Sequence, residues 1–412
     1  MQLDWGLLSP ASAGSVRRTR GLELGSAVRH YNEVAVPGLG GLWFGKTLIW
    51  SLLGLRIARE TGNAPIPVAN AIEALACWQE IRHGKGSDPR IRGQQKLAAL
   101  PADFATYRRA SGRTFYVSQP MRQGMTQPLL ALGLVESSSR RFNAFWISTA
   151  GNVLLDESLK PYRPYGTSVH ALVSEWVGGG QRVHTPKLQE ALSPRLPLPE
   201  LARSSLRNRL VDGTRDVSAA DRRSAVMSWV KGLEAPSSDW RQRPMAITKP
   251  HWDDLHTGGL FFQTRDCALT LLDQAESVLQ GVEGQRLETA ALADALDTVP
   301  LSQLAAAFLA RPEATLHSKA AIFCQECADG GAATLQSLVQ RDGRGLRLAD
   351  TSIAAGPAFR GQASMPGTLA PEEGGAASPE RLVLPRGISA RVRNAWALHQ
   401  DLEGDLDAWL AS

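Results

Sequence analysis

The sequence predicts a mainly α, multi-domain chain with a small α+β module set inside it. Three observations carry that expectation. Apolar residues recur at helical spacing through most of the 412 residues. Strand-like patterns are confined to short stretches, at residues 134–136, 144–148 and 345–354. The length exceeds a typical single domain, and a composition 43% hydrophobic and 21% charged supports an ordinary globular core.

Residues 1–36 read as irregular apart from a short helix near Leu24–Tyr31. From Lys46 to Arg59 the apolar residues Leu48, Ile49, Leu52, Leu53, Leu55 and Ile57 nearly encircle a helix, which predicts a buried one. A second helix follows over Val68–Ile81. The glycine-rich, charged stretch His83–Arg92 marks a boundary. Beyond the α+β module, helices are expected at His170–Val177, Ala219–Leu233, Asp266–Leu279, Leu287–Leu296, Leu301–Leu309 and Leu316–Cys327, and a hairpin at Gly345–Ala354. Residues 355–386, rich in Gly, Pro, Ala and Ser, read as a linker. A last helix over Ser389–Trp409 carries an apolar stripe that must dock on the body. The expected domains are therefore 1–90, helical; 91–160, the α+β module; 161–354, helical; 355–386, linker; and 387–412, a docking helix.

Four cysteines do not make a disulfide framework, so a reducing compartment is expected. Residues 1–20 lack the basic-then-apolar order of a secretory leader. The longest apolar stretch, Leu42–Ala58, is interrupted by Gly45, Lys46, Gly54 and Arg56 and is too short and charged to span a bilayer. These readings predict a cytoplasmic protein with no membrane partner. The net charge of +5 permits an anionic partner without demanding one. The cations are mostly Arg, whose forked guanidinium suits phosphate and base edges, although a G+C-rich genome accounts for Arg as well.

The segment 113–158 has the most informative order. Ser118 is placed to cap a helix with Met121, Met125, Leu129 and Leu132 on one face and Gln119, Arg122, Gln123, Thr126 and Gln127 on the other. Gly133 ends it. Leu134–Glu136 and Ala144–Ser148 then form a hairpin around the polar turn Ser137–Asn143, and Ser148 or Thr149 caps the next helix. Helix, Gly-Leu-Val, basic-tipped hairpin and Ser-Thr-Ala-Gly-x-x-Leu-Leu together resemble the winged helix-turn-helix domains of MarR-like and PadR-like regulators. The resemblance covers about 45 residues, a small module by the usual scale of domains. It implies that Gln119, Arg122, Gln123 and Thr126 face a groove, and that Arg140 and Arg141 contact phosphate from the wing tip. Pro128 departs from that pattern, since proline inside a helix removes a hydrogen bond.

Other motifs compete. Gly40–Thr47 matches the phosphate-loop string Gly-x-x-x-x-Gly-Lys-Thr, with Gly40, Gly45, Lys46 and Thr47 as nucleotide contacts. The bulky Leu42, Trp43 and Phe44, and the lack of alternating parallel strands, favour a glycine turn feeding a buried helix instead. Cys324 and Cys327 form a lone C-x-x-C, which reads as two small residues a helical turn apart rather than a zinc site. His251 and His256 lie five apart, wrong for one helix face. Trp43, Trp50, Trp78, Trp146, Trp229 and Trp396 fall in apolar contexts and are expected in the core. No catalytic residue, metal or cofactor is assigned. The expected function is a non-enzymatic nucleic-acid-associated protein, on DNA rather than RNA, with protein partners in a larger bacterial assembly of the mobile-element or phage-defence kind. The alternatives are a P-loop NTPase using Gly40–Thr47 and a purely structural scaffold.

Overall fold

The computed structural model describes residues 21–84, 88–101, 106–113, 115–213, 216–232, 239–359 and 384–411. Helices take up 64% of the described residues and strands 5%. In chain order the elements begin with α1 (Gly25–Ala35), α2 (Lys46–Thr61), α3 (Pro65–Arg82) and the short α4 (Gln94–Leu97) and α5 (Tyr107–Ala110). Next come α6 (Arg122–Ala131), β1 (Val135–Ser137), β2 (Phe145–Ile147) and α7 (Thr149–Leu159). The body continues with α8 (Val169–Val177), α9 (Pro186–Leu192), α10 (Glu200–Asp212), α11 (Val217–Lys231) and α12 (Lys249–Gln280). After β3 (Arg286–Glu288) come α13 (Thr289–Asp294), α14 (Val299–Leu309), α15 (Ser318–Ala328), α16 (Gly331–Asp342), β4 (Leu346–Ala349) and β5 (Ser352–Ala355). The chain ends in α17 (Ala390–Glu403) and α18 (Leu406–Ala411).

The chain divides into two compact units, residues 29–258 with 371–412, and residues 1–28 with 259–370. The boundaries expected at 90/91 and 160/161 fall inside the larger unit, and the expected segment 161–354 spans both. The expected linker 355–386 lies mostly outside the described residues.

The larger unit is built around α2 and α3. Leu48, Ile49, Leu52, Leu53 and Ile57 of α2 are fully buried, as the nearly all-round apolar pattern predicts. Trp43, Trp50, Trp78, Trp229 and Trp396 join this core, together with Val392, Leu398 and Leu402 of α17. The expected single helix over Ser389–Trp409 is two. Gly404 adopts φ +94° between α17 and α18, a left-handed cap that stops the first helix. Trp396 and Trp409 still meet edge to face, 4.3 Å apart. The helix α10 follows directly on Pro199 and is one for which the sequence analysis set no expectation.

In the smaller unit the antiparallel sheet has the order β3-β5-β4. The hairpin β4–β5 matches the expected one at Gly345–Ala354. Its third strand replaces the start of a helix expected at Leu287. Arg286, Leu287 and Glu288 pair with Ala354, Ile353 and Ser352, so a partner 66 residues on decides the local structure. Phe261 of α12, Phe308 of α14 and Phe323 of α15 centre this core.

Candidate nucleic-acid interface

The helix of the α+β segment starts at Arg122, three residues later than a cap at Ser118 suggests. A carboxylate from another helix sets that start. Glu73, buried on α3, accepts the backbone N–H of Met121 at 2.7 Å and of Arg122 at 3.2 Å. Two donors that would otherwise be unsatisfied at a helix N-terminus are thereby met. Burial pushes the Glu73 carboxyl up from its ordinary range, and these two N–H bonds pull it back.

This arrangement turns part of the expected polar face inward. Arg122 is only 8% exposed. Its Nε donates to Asn70 Oδ1 at 2.8 Å, and its guanidinium lies over the Phe142 ring at 4.9 Å. Gln123 remains exposed, whereas Gln119 and Thr126 are half-buried. The Gln119 carbonyl accepts Arg92 Nη1 at 2.8 Å, and the Thr126 hydroxyl donates to the Gln123 carbonyl. Gln127 is held by Glu33 and Arg391. The apolar face is as expected, with Met121, Met125, Leu129 and Leu132 all buried.

Pro128 does not break α6, and the reason lies in the glycine string. A proline at 128 leaves the Gly124 carbonyl without its intrahelical N–H donor. The backbone N–H of Gly41 donates to that carbonyl at 3.1 Å. The approach requires glycine at position 40, where φ is +51°. A Cβ there would lie 2.7 Å from Gly124 O and 2.8 Å from Pro128 Cδ.

Downstream, Leu134 N–H bonds to Leu129 O and Gly133 N–H to Leu130 O, a Schellman ending with Gly133 at φ +64°. The hairpin that follows pairs Val135 with Ile147, Glu136 with Trp146 and Ser137 with Phe145. Ser148 caps α7 by accepting the N–H of Gly151 at 3.0 Å. Arg140 and Arg141 sit in the turn and are exposed. Trp146 corrects the expectation of a core tryptophan. Strand alternation sends Phe145 inward and Trp146 outward, where it is 39% exposed.

The remaining members of the Gly40–Thr47 string are engaged inside the larger unit. Gly45 N–H donates to Asp401 Oδ2 of α17 at 2.8 Å, so the carboxylate of Asp401 meets the N-terminus of α2. Lys46 is 1% exposed and donates through Nζ to the Ala191 carbonyl at 2.7 Å. Desolvation lowers its pKa to about 8, offset in part by the charges of Asp401 and Glu80. Asp401 is raised to about 6, also by burial. Thr47 Oγ1 donates to the Phe44 carbonyl. No β-strand precedes α2 among the described residues.

Many arginines also work internally. Arg223, with no exposed surface, holds the carbonyls of Leu210 and Pro37, and Arg209 holds that of Leu132. What distinguishes the α+β segment is local charge. Residues 91–160 carry nine Lys and Arg against four Asp and Glu. Lys96, Arg108, Arg109, Arg113, Arg140 and Arg141 among them are exposed. A charge count over this window is the sequence signal that points to Lys96, Arg108, Arg109 and Arg113. Elsewhere, Cys324 and Cys327 are buried on α15, with the Cys324 thiol pushed up to about 12 by desolvation. His251 and His256 both lie on α12. The first bonds to the Ala35 carbonyl and the second stacks on Trp240 at 4.9 Å. Among the described residues no three His, Cys, Asp or Glu side chains converge as metal ligands, and no helix is long and apolar enough to cross a membrane. Comparison of the chain with protein-family models, curated proteins and solved structures finds no match.

Proposed function

We propose that this chain is a non-enzymatic nucleic-acid-binding protein, acting on DNA in preference to RNA through a winged-helix-like segment at residues 113–158. The observation that carries the reading is the hairpin turn. Arg140 and Arg141 stand exposed between two strands held by the core, within a stretch where cations outnumber anions nine to four. Arginines so placed suit phosphate contacts, which position a protein on nucleic acid without reading its sequence. Base contact falls to Gln123, the exposed member of the helix face, with Gln119 and Thr126 at its margin. The engagement of Arg122 with Asn70 and Phe142 supports an anchoring role for the segment more than a reading one. The proposal extends to two structural domains and to membership of a larger bacterial assembly, of the mobile-element or phage-defence kind. The size of the helical body beyond the hairpin segment supports that part.

The test is fluorescence anisotropy with labelled duplex DNA across ionic strength. Affinity should fall linearly on a log–log plot as salt rises, because phosphate contacts release counterions. Absence of binding at low salt to duplex and single strands alike would remove the reading.

A further inference from the structure

We infer that Trp146 is a stacking platform for an unpaired DNA base, so that the preferred ligand is DNA with single-stranded character. The inference rests on the nucleic-acid reading above and specifies which form of the ligand the same hairpin takes.

Trp43, Trp50, Trp78, Trp176, Trp229, Trp252 and Trp396 are all buried, and Trp240 and Trp409 are half-buried. Trp146 alone among the described tryptophans is exposed. It stands on the outward face of β2, directly across from Glu136 on β1. Glu136 Oε2 accepts the indole N–H at 3.0 Å. That bond fixes the edge of the ring, so ordering the indole costs less when a ligand arrives. The opposite face of the hairpin already supplies its core contacts through Val135 and Phe145, each 5% exposed or less.

Charge and shape then select the partner. The turn of the same hairpin carries Arg140 and Arg141, six and five residues before Trp146 in the chain. One short hairpin thus offers cations for a phosphate and a flat apolar surface for a base. Single-strand binders combine these two features, because every base has a π-face and stacks without sequence preference. In a closed duplex the base faces are covered by their neighbours, and an exposed indole has no such surface to meet. Glu136 beside the ring disfavours a phosphate there and leaves the position to a base.

The experiment uses the full chain and a labelled single strand of about 20 nucleotides, long enough to fill one site, beside its duplex. Trp146→Ala should weaken single-strand binding roughly 5- to 150-fold, the range found when base-stacking aromatics are removed. Trp146→Phe should retain most of the affinity, and duplex affinity should move less than about twofold. Three results would overturn the inference. They are unchanged single-strand affinity in Trp146→Ala, equal loss on both ligands, and loss in Trp146→Phe as great as in Trp146→Ala. Arg140→Ala with Arg141→Ala should weaken both ligands. If that pair matters while Trp146→Ala does not, the nucleic-acid reading stands and the platform falls. If the unaltered protein binds neither ligand, both fall.

Discussion

The two units each contain a helix that leads into a β-hairpin, and the turns of the two hairpins carry opposite charge. In the larger unit α6 runs into β1–β2, whose turn carries Arg140 and Arg141. In the smaller unit α16 runs into β4–β5, whose turn carries Asp350, 92% exposed at its side chain, and Thr351. The contrast extends beyond the turns. Residues 29–258 carry 30 Lys and Arg against 19 Asp and Glu, whereas residues 259–359 carry seven against twelve. A backbone order shared by both therefore does not settle a partner. The sign of the charge around it separates them, and under the proposed function phosphate contact is assigned to the first hairpin.

The two helices also differ in how their supporting glycines are used, which gives the largest expected effect. Gly40 and Gly343 both adopt positive φ, at +51° and +55°. Gly40 is pressed against α6, whereas the nearest atom to a Cβ at Gly343 is 3.8 Å away. Gly40→Ala should cost about 3 kcal/mol or more, from backbone strain and overpacking together. Gly343→Ala should cost about 1 kcal/mol, from the left-handed conformation alone. Urea denaturation of the two variants measures the difference, and equal costs would remove the role assigned to Gly40 in supporting the proline-containing helix.

Lys46 sharpens the same point, because a basic sequence does not mean that every cation is available to a ligand. Lys46→Ala should cost about 2–3 kcal/mol, through the buried Ala191 carbonyl left without its donor. Equilibrium dialysis should show no magnesium-dependent ATP uptake by the unaltered protein. Uptake abolished by Lys46→Ala would restore the nucleotide reading of Gly40–Thr47.

A smaller effect concerns Asp401. Its folded-state pKa of about 6 lies above the ordinary 3.8, so the folded state holds this proton more tightly. Ionising it costs stability progressively as pH rises from about 4 to 6. Lys46, lowered to about 8, behaves in the opposite sense and regains stability as pH rises from about 8 toward 10.5. Asp401→Asn keeps an acceptor for the Gly45 N–H and removes the acidic window. Its stability relative to the unaltered protein should therefore increase between pH 4 and 6, as thermal melts would report. A constant difference across that range would contradict the assignment.

Local signals made much of this legible. Gly133 ends its helix and Ser148 caps the next, because both devices act through neighbours in sequence. The buried helix α2 followed from apolar residues on every side. What sequence reading missed depends on distant partners. Glu73 and Asn70, about fifty residues upstream, set where α6 starts and where Arg122 points. Asp401, 356 residues away, is the anion at the N-terminus of α2. A phosphate-loop string and a self-satisfied turn are identical until that carboxylate is located. The strand β3 was missed because three residues acquire extended structure only through β5. Trp146 was legible in principle, since the strand alternates Phe145 in and Trp146 out, but an apolar run conceals that alternation.

The most direct measurement compares the hairpins as paired variants in one salt titration on DNA. Arg140→Ala with Arg141→Ala, in the basic turn, should weaken binding on all sequences alike. It should also reduce the slope of log affinity against log salt by about one unit for each phosphate no longer neutralised. Arg344→Ala with Arg347→Ala, flanking the acidic turn, should leave affinity and slope unchanged. The account is contradicted if the first pair has no effect on either quantity, or if the second pair has the larger one.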